Sequence, residues 1–111
     1  MTVKELFSAV DLKIINVGDD TKNISGIYCC DLLSFVMGKS FEDCAWVTVM
    51  GNINSIAVSS LADMSCIILA EGVSLDEQAL IKAREHNIAV LGSEKSIFDT
   101  ALAVHTAINN G

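Results

Sequence analysis

The chain contains no proline, and only six of its 111 residues are aromatic: four Phe, one Trp and one Tyr. Without proline, and without a Gly/Ser-rich tract, nothing marks a linker or hinge, so a single domain over residues 1–111 is expected. With so few rings, the core must be aliphatic, built from Val, Ile, Leu, Ala and Met. No apolar run approaches the ~18 residues that cross a bilayer, and the longest, such as Cys66–Ala70, have the length of a core strand. No membrane association is expected. The opening Met1-Thr2-Val3-Lys4-Glu5 lacks the basic-then-apolar pattern of a secretory signal, which predicts a cytoplasmic setting.

Basic residues are also scarce, seven against fourteen acidic ones, for a formal charge of -7. The seven (Lys4, Lys13, Lys22, Lys39, Lys82, Arg84, Lys95) are scattered, whereas nucleic-acid binding draws on clustered Lys and Arg that displace counterions from phosphate. The overall field repels a polyanion, and nucleic acid is excluded as a partner.

The four cysteines form no Cys-x-x-Cys pair, and neither His86 nor His105 stands at zinc-finger spacing from another ligand. Adjacent residues of a strand point to opposite faces, so Cys29 and Cys30 are poorly placed to grip one metal. Free thiols acting as small hydrophobes are expected, with no metal and no cofactor. Neither Gly-x-x-x-x-Gly-Lys-Ser/Thr nor Gly-x-Gly-x-x-Gly occurs; Gly38-Lys39-Ser40 lacks the upstream glycine and follows a helix where a strand is required. No Ser or Cys nucleophile is paired with a base in the sequence. No catalytic residue is assigned, and the chain is read as a non-enzyme.

What is abundant is aliphatic surface: 51% of residues are hydrophobic. Such a fraction in so small a domain implies a sheet covered on both faces, an apolar patch reserved for a partner, or both. Thr2 and Glu5 have capping-box spacing for a first helix. Leu12–Val17, Ile24–Cys30, Ala45–Met50, Cys66–Ala70 and Ile88–Leu91 read as strands. Between them, Asp31 is placed to cap a short helix ending at Gly38. Ile53, Ile56, Ala57, Leu61 and Ala62 recur at helical spacing. Ser74 with Glu77 offers a second capping box, before a helix with Leu75, Ala79, Leu80 and Ala83 on one face, and Ile97–Ile108 closes the chain as a helix. Strands alternating with helices predict an α/β fold: a mostly parallel central sheet flanked by helices in three layers, α/β/α.

In open parallel sheets ligands gather beyond the carboxyl ends of the strands. Asp31, Thr48, Gly51, Asn52, Asn54 and Glu71 fall there, Asn52 and Asn54 being equally readable as helix caps. The carboxylates disfavour a bare phosphate; if Asp31 and Glu71 lie together, a cation, an amine or a sugar hydroxyl fits better.

The stretch Asn23-Ile24-Ser25-Gly26-Ile27-Tyr28-Cys29-Cys30-Asp31-Leu32-Leu33-Ser34-Phe35-Val36-Met37 resembles the signature of DRTGG domains, in which a Thr-Gly-Gly-Tyr-like turn leads into Asp-Leu-Leu-Ser and a short helix. Ala45-Trp46-Val47-Thr48-Val49, Asn54 opening an Ala/Val-rich helix, and Cys66-Ile67-Ile68-Leu69 with Glu71-Gly72 extend the similarity over most of the chain. Two positions depart from the pattern: Ser25-Gly26-Ile27 replaces Thr-Gly-Gly, and Met50 stands where a polar residue, often Gln, is common. The resemblance implies a fold like the amino-terminal domain of HPr kinase/phosphorylase, an accessory domain whose catalytic phosphate-binding loop lies elsewhere. It also implies a dimerisation or regulatory module, as in regulated pyrophosphatases and phosphotransacetylases. Stand-alone relatives encoded near iron-only hydrogenases and sensor kinases imply a bacterial role in redox metabolism.

Gly26 and Tyr28 therefore join Asp31, Thr48, Asn52, Asn54 and Glu71 as ligand-binding candidates. The leading expectation is a homodimeric regulatory module with a small-molecule ligand, a nucleotide or metabolite. It pairs through Tyr28, Leu32, Leu33, Val36 and Met37, of which Leu32, Leu33 and Met37 read equally well as core. The alternatives are an adaptor docking on a protein partner such as a hydrogenase or sensor kinase, and a phosphotransfer protein using His86 or Asp31.

Overall fold

The β-branched and aliphatic segments pair as one five-stranded sheet in the computed structural model, which describes residues 1–110. In chain order the elements are α1 (Val3–Ala9), β1 (Lys13–Asn16), β2 (Gly26–Cys29), α2 (Leu33–Lys39), β3 (Cys44–Thr48), α3 (Ile53–Leu61), β4 (Cys66–Leu69), α4 (Glu77–Glu85), β5 (Ala89–Gly92) and α5 (Ile97–Asn110). The sheet order is β1-β5-β4-β3-β2. Strands β2 to β5 are parallel neighbours, and β1 closes one edge antiparallel to β5.

Alternation along the buried strands divides the core in two. Trp46, Ile67, Leu69 and Val90 point to one face, where they meet Val36 of α2, Ile56 and Val58 of α3, and Ala79 and Ala83 of α4. Ala45, Val47, Ile68, Ala89 and Leu91 point to the other, against Val3 and Leu6 of α1 and Val104 of α5. Three successive parallel crossovers of one hand place their helices on the same face, so α2, α3 and α4 form one layer and α1 with α5 the other. The expected three-layer α/β/α arrangement is the observed one. A strand covered on both faces has no polar side to show, which is why Cys66–Leu69 is apolar throughout and fully buried.

Local details differ from expectation at three helices. Thr2 and Glu5 do form a reciprocal capping box on α1. Asp31, however, does not cap α2: Leu32 occupies the cap position and makes no side-chain cap bond. Helix α4 is capped by Asp76, whose carboxylate accepts from the Ala79 N–H at 2.8 Å, rather than by Ser74. In α3 the buried residues are Ser55, Ile56, Val58 and Ser59, while Ile53, Ala57 and Leu61 face outward, Leu61 at 77% exposure. Serines let the helix lie close to the sheet, and Ser55 answers its own polarity by donating to the Met50 carbonyl.

Candidate functional site

Beyond the carboxyl end of β2, the chain must turn from the sheet edge onto the α2 layer. Asp31 makes that turn: its Oδ1 accepts from Thr48 Oγ1 at 2.6 Å and from the Val49 N–H at 3.2 Å. Thr48, fully buried at the end of β3, accepts in turn from the Met50 N–H at 3.3 Å. Trp46 Nε1 donates to the Cys30 carbonyl at 2.9 Å and fixes the same corner. Asp31 and Thr48 are thus brought together through Oδ1, while Asp31 itself stays exposed.

The other nominated residues disperse. Asn52 caps α3, its Oδ1 accepting from the Asn54 and Ser55 N–H groups at 3.0 and 3.3 Å, and Asn54 is exposed in the first helical turn. Glu71 follows β4 in a left-handed conformation, φ +59°, its N–H donating to the Lys95 carbonyl at 2.8 Å. Because β3 lies between β2 and β4, Asp31 and Glu71 are separated by two strand spacings, about 10 Å, and do not form one carboxylate pair. Gly26 begins β2, at the opposite end of the sheet from Asp31, where an added Cβ would come within 3.1 Å of the Phe41 ring. Tyr28 lies half-buried beneath α2 and donates to the Phe35 carbonyl at 3.4 Å.

Topology explains the dispersal. The loops after β2, β3 and β4 all lead to the same helical layer, so no crevice is forced open between them. Only after β5 does the chain leave for the opposite layer. Between β4 and β5, where departing loops diverge, the sheet has its switch point, and a cavity of about 500 Å³ lies there, lined by Asp11–Ile15, Gly72–Leu75 and Gly92–Lys95. Sequence reasoning nominated none of these residues. Its one signal was the pair of glycines, Gly72 and Gly92, standing just beyond or at the end of consecutive strands.

No protein-family model matches the sequence, and no curated protein matches it either. The fold does have a solved counterpart. It superposes with a TM-score of 0.77, at 11% identity, on the crystal structure of the CBS and DRTGG domains of the regulatory region of Clostridium perfringens pyrophosphatase, complexed with the activator diadenosine tetraphosphate; the match covers 98% of this chain and 49% of that one. This is a DRTGG-like fold. The present chain spans about half the length of that regulatory fragment, and at such low identity the likeness is one of architecture.

In this DRTGG-like domain the helix nominated for pairing is divided by its own periodicity. Leu32 and Met37 are 55% and 60% exposed, Phe35 between them is 51% exposed, and Leu33 is half-buried. Val36, by contrast, is fully buried against the sheet, so it is a core residue and unavailable to a partner. Phe35, a member of the same helix, lies about 100° around the axis from Val36 and escapes burial. Lys39 stands over the Phe35 ring, its Nζ 5.5 Å from the centroid.

The cysteines are unpaired thiols. Burial pushes the Cys66 thiol up to about 12, with the neighbouring Cys44 adding to the effect. Burial also raises Cys44, and raises Cys29 together with the charge of Asp31. Glu42, Asp43 and Asp63 bring carboxylate oxygens within 4.8 Å of one another, but Asp63 is already paired with Lys22 at 2.7 Å. Among the described residues no helix is long and apolar enough to cross a membrane.

Proposed function

We propose that this DRTGG-like domain is a non-catalytic regulatory module that pairs with a second copy of itself and responds to a small molecule. The observation that carries the pairing is the unburied apolar surface of α2, where Leu32, Phe35 and Met37 stand in solvent beside the open edge of β2. Exposed apolar side chains concentrated on one short helix supply the kind of surface that marks an interaction site, and an edge strand left uncovered is a standing liability. The same surface on a second copy answers both in a symmetric pair. The small-molecule part of the reading draws on the structural counterpart, which was determined with a nucleotide activator bound. The sequence resemblance supports a role in bacterial redox metabolism.

Native mass spectrometry of the purified protein tests both parts. A dimer carrying a small additional mass is the expected result. A bare monomer at micromolar concentration overturns the reading. A second reading, an adaptor docked on a larger protein, is favoured by a separate apolar stripe on the opposite layer, where Phe98 and Leu102 of α5 are 70% and 50% exposed. Co-purification from the native host separates the two, because a self-contained dimer emerges alone.

A further inference from the structure

The crevice at the switch point differs in kind from the corner around Asp31. It is a cavity of about 500 Å³, inside the range of roughly 300–1,000 Å³ that small-molecule sites occupy. Its walls come from three separate stretches of chain: the entry to β1, the loop from β4 to α4, and the loop from β5 to α5. On one side the wall is close-packed: the space beside Gly92 is taken by Ile15, whose Cδ1 lies 3.1 Å from where a Cβ would stand, with Lys13 Cβ at 3.8 Å.

The lining is chemically divided. Leu12, Val73 and Leu75 offer apolar surface, and Lys13 and Lys95 bring two of the seven cations of a chain whose net charge is -7, facing the carboxylates of Asp11 and Glu94 in the same lining. Neither lysine is in an ion pair; the pairs among the described residues are Lys22–Asp63 and Lys82–Glu85. Ser93, nearly buried between them in sequence, has a hydroxyl oxygen that accepts from the Lys95 N–H at 3.1 Å and from the Thr100 hydroxyl at 2.8 Å. Glu94 folds its carboxylate over Gly72, where Oε2 lies 2.5 Å from the place a Cβ would occupy.

We infer that this crevice binds a phosphate ester of a polyhydroxylated small molecule, a nucleotide or a sugar phosphate, with the phosphate held by Lys13 and Lys95 and a hydroxyl group held by the Glu94 carboxylate. Two free ammonium groups supply the charge that a phosphate needs. A carboxylate beside them disfavours inorganic phosphate but suits a diol, which donates to it. The apolar wall gives the rest of the molecule a dry surface. The inference rests on the regulatory reading above and names the ligand class that reading leaves open.

The test is a titration followed by amide NMR with AMP, ribose 5-phosphate and inorganic phosphate as separate probes, on the wild-type chain, Lys13→Gln/Lys95→Gln and Glu94→Gln. Both lysines and Glu94 are exposed, so the variants keep the fold. The expected result is that AMP or ribose 5-phosphate moves the amides of Gly72, Gly92, Ser93 and Lys95, and that the double lysine variant weakens binding about tenfold or more. Glu94→Gln weakens the ester and leaves inorganic phosphate unchanged or tighter. AMP moving these amides when ribose 5-phosphate does not identifies the base as part of the ligand; the converse identifies a sugar phosphate. Spectra unmoved by either ester at millimolar concentration overturn the inference, as do shifts centred on Asp31, Thr48 and Asn52, or an affinity indifferent to both lysines. A dimer with a bound mass that is not a phosphate ester sinks this inference alone and leaves the regulatory reading standing.

Discussion

Asp31 and Thr48, seventeen residues apart, are joined by a 2.6 Å hydrogen bond in which the threonine hydroxyl donates to the carboxylate. The bond ties the loop after β2 to the end of β3, and Thr48 is fully buried. Asp31→Ala leaves the buried Thr48 hydroxyl without its acceptor and is expected to cost about 1–3 kcal/mol in urea unfolding, whereas Thr48→Val leaves an exposed carboxylate to water and should cost about 0.5–1.5 kcal/mol. The double variant should cost less than the sum, with a coupling of at least about 0.5 kcal/mol. Strict additivity would show that the contact contributes nothing.

Residues of α2 should separate cleanly by face. Val36→Ala is expected to lose about 2 kcal/mol of stability, because its side chain is wholly withdrawn from water. Leu32→Glu and Phe35→Glu should leave the thermal midpoint of the isolated subunit within a few degrees, and convert a dimer to monomer in sedimentation velocity. A dimer that persists with both charges in place would move the interface elsewhere, the α5 stripe at Phe98 and Leu102 being the next surface to probe.

Cysteine chemistry carries a pH dependence with a definite sign. The folded Cys66 thiol is raised to about 12 from an ordinary 9.0, so the unfolded chain gives up this proton first as pH rises. Stability contributed by the neutral buried thiol is therefore full below pH 9 and falls between pH 9 and 12, by about 1.4 kcal/mol per pH unit at most. Cys66→Ala should flatten that part of the alkaline profile. At pH 8, iodoacetamide should label Cys29 in the folded protein and reach Cys44 and Cys66 only after denaturant is added.

Gly18 adopts φ +57°, and a Cβ there would run into the backbone of Ile88 and Ala89. Gly18→Ala is expected to destabilise the fold by more than about 1 kcal/mol, since the left-handed conformation alone costs that much for an L-residue. Gly38, where an added Cβ meets nothing within 4 Å, is the matched control: Gly38→Ala should be neutral or mildly stabilising.

The elements were legible in the sequence wherever burial imposes a period or a continuous run. Cys66–Leu69 and Ala45–Thr48 declare themselves because a strand covered twice has no polar side. In α3 the apolar positions at helical spacing divide, Ile56 entering the core while Ile53, Ala57 and Leu61 share an outward face as regular as any core face. Only the sheet decides that the face with Ser55 and Ser59 turns inward. Asp31 misled for a similar reason. A carboxylate before an apolar helix reads as a cap, and its actual partner, Thr48, is recognisable only once β2 and β3 are side by side. The crevice between β4 and β5 was illegible because it depends on which layer each following helix joins, a property of topology that no local pattern encodes.

The antiparallel edge strand has a consequence in time. Strands β2 to β5 each pair with the strand that immediately precedes or follows them in the chain, and so can assemble stepwise as synthesis proceeds. Strand β1 pairs with β5, residue 13 against residue 92, and must wait until residue 92 has been made. A nascent chain arrested before β5 thus holds most of the sheet without the wall that β1 provides, and its unclaimed edge at β4 is open to any other strand in reach. Newly made protein should gain its protease resistance late, once residues 89–92 and the α5 helix that covers the second face have emerged and the first strand at last finds its place.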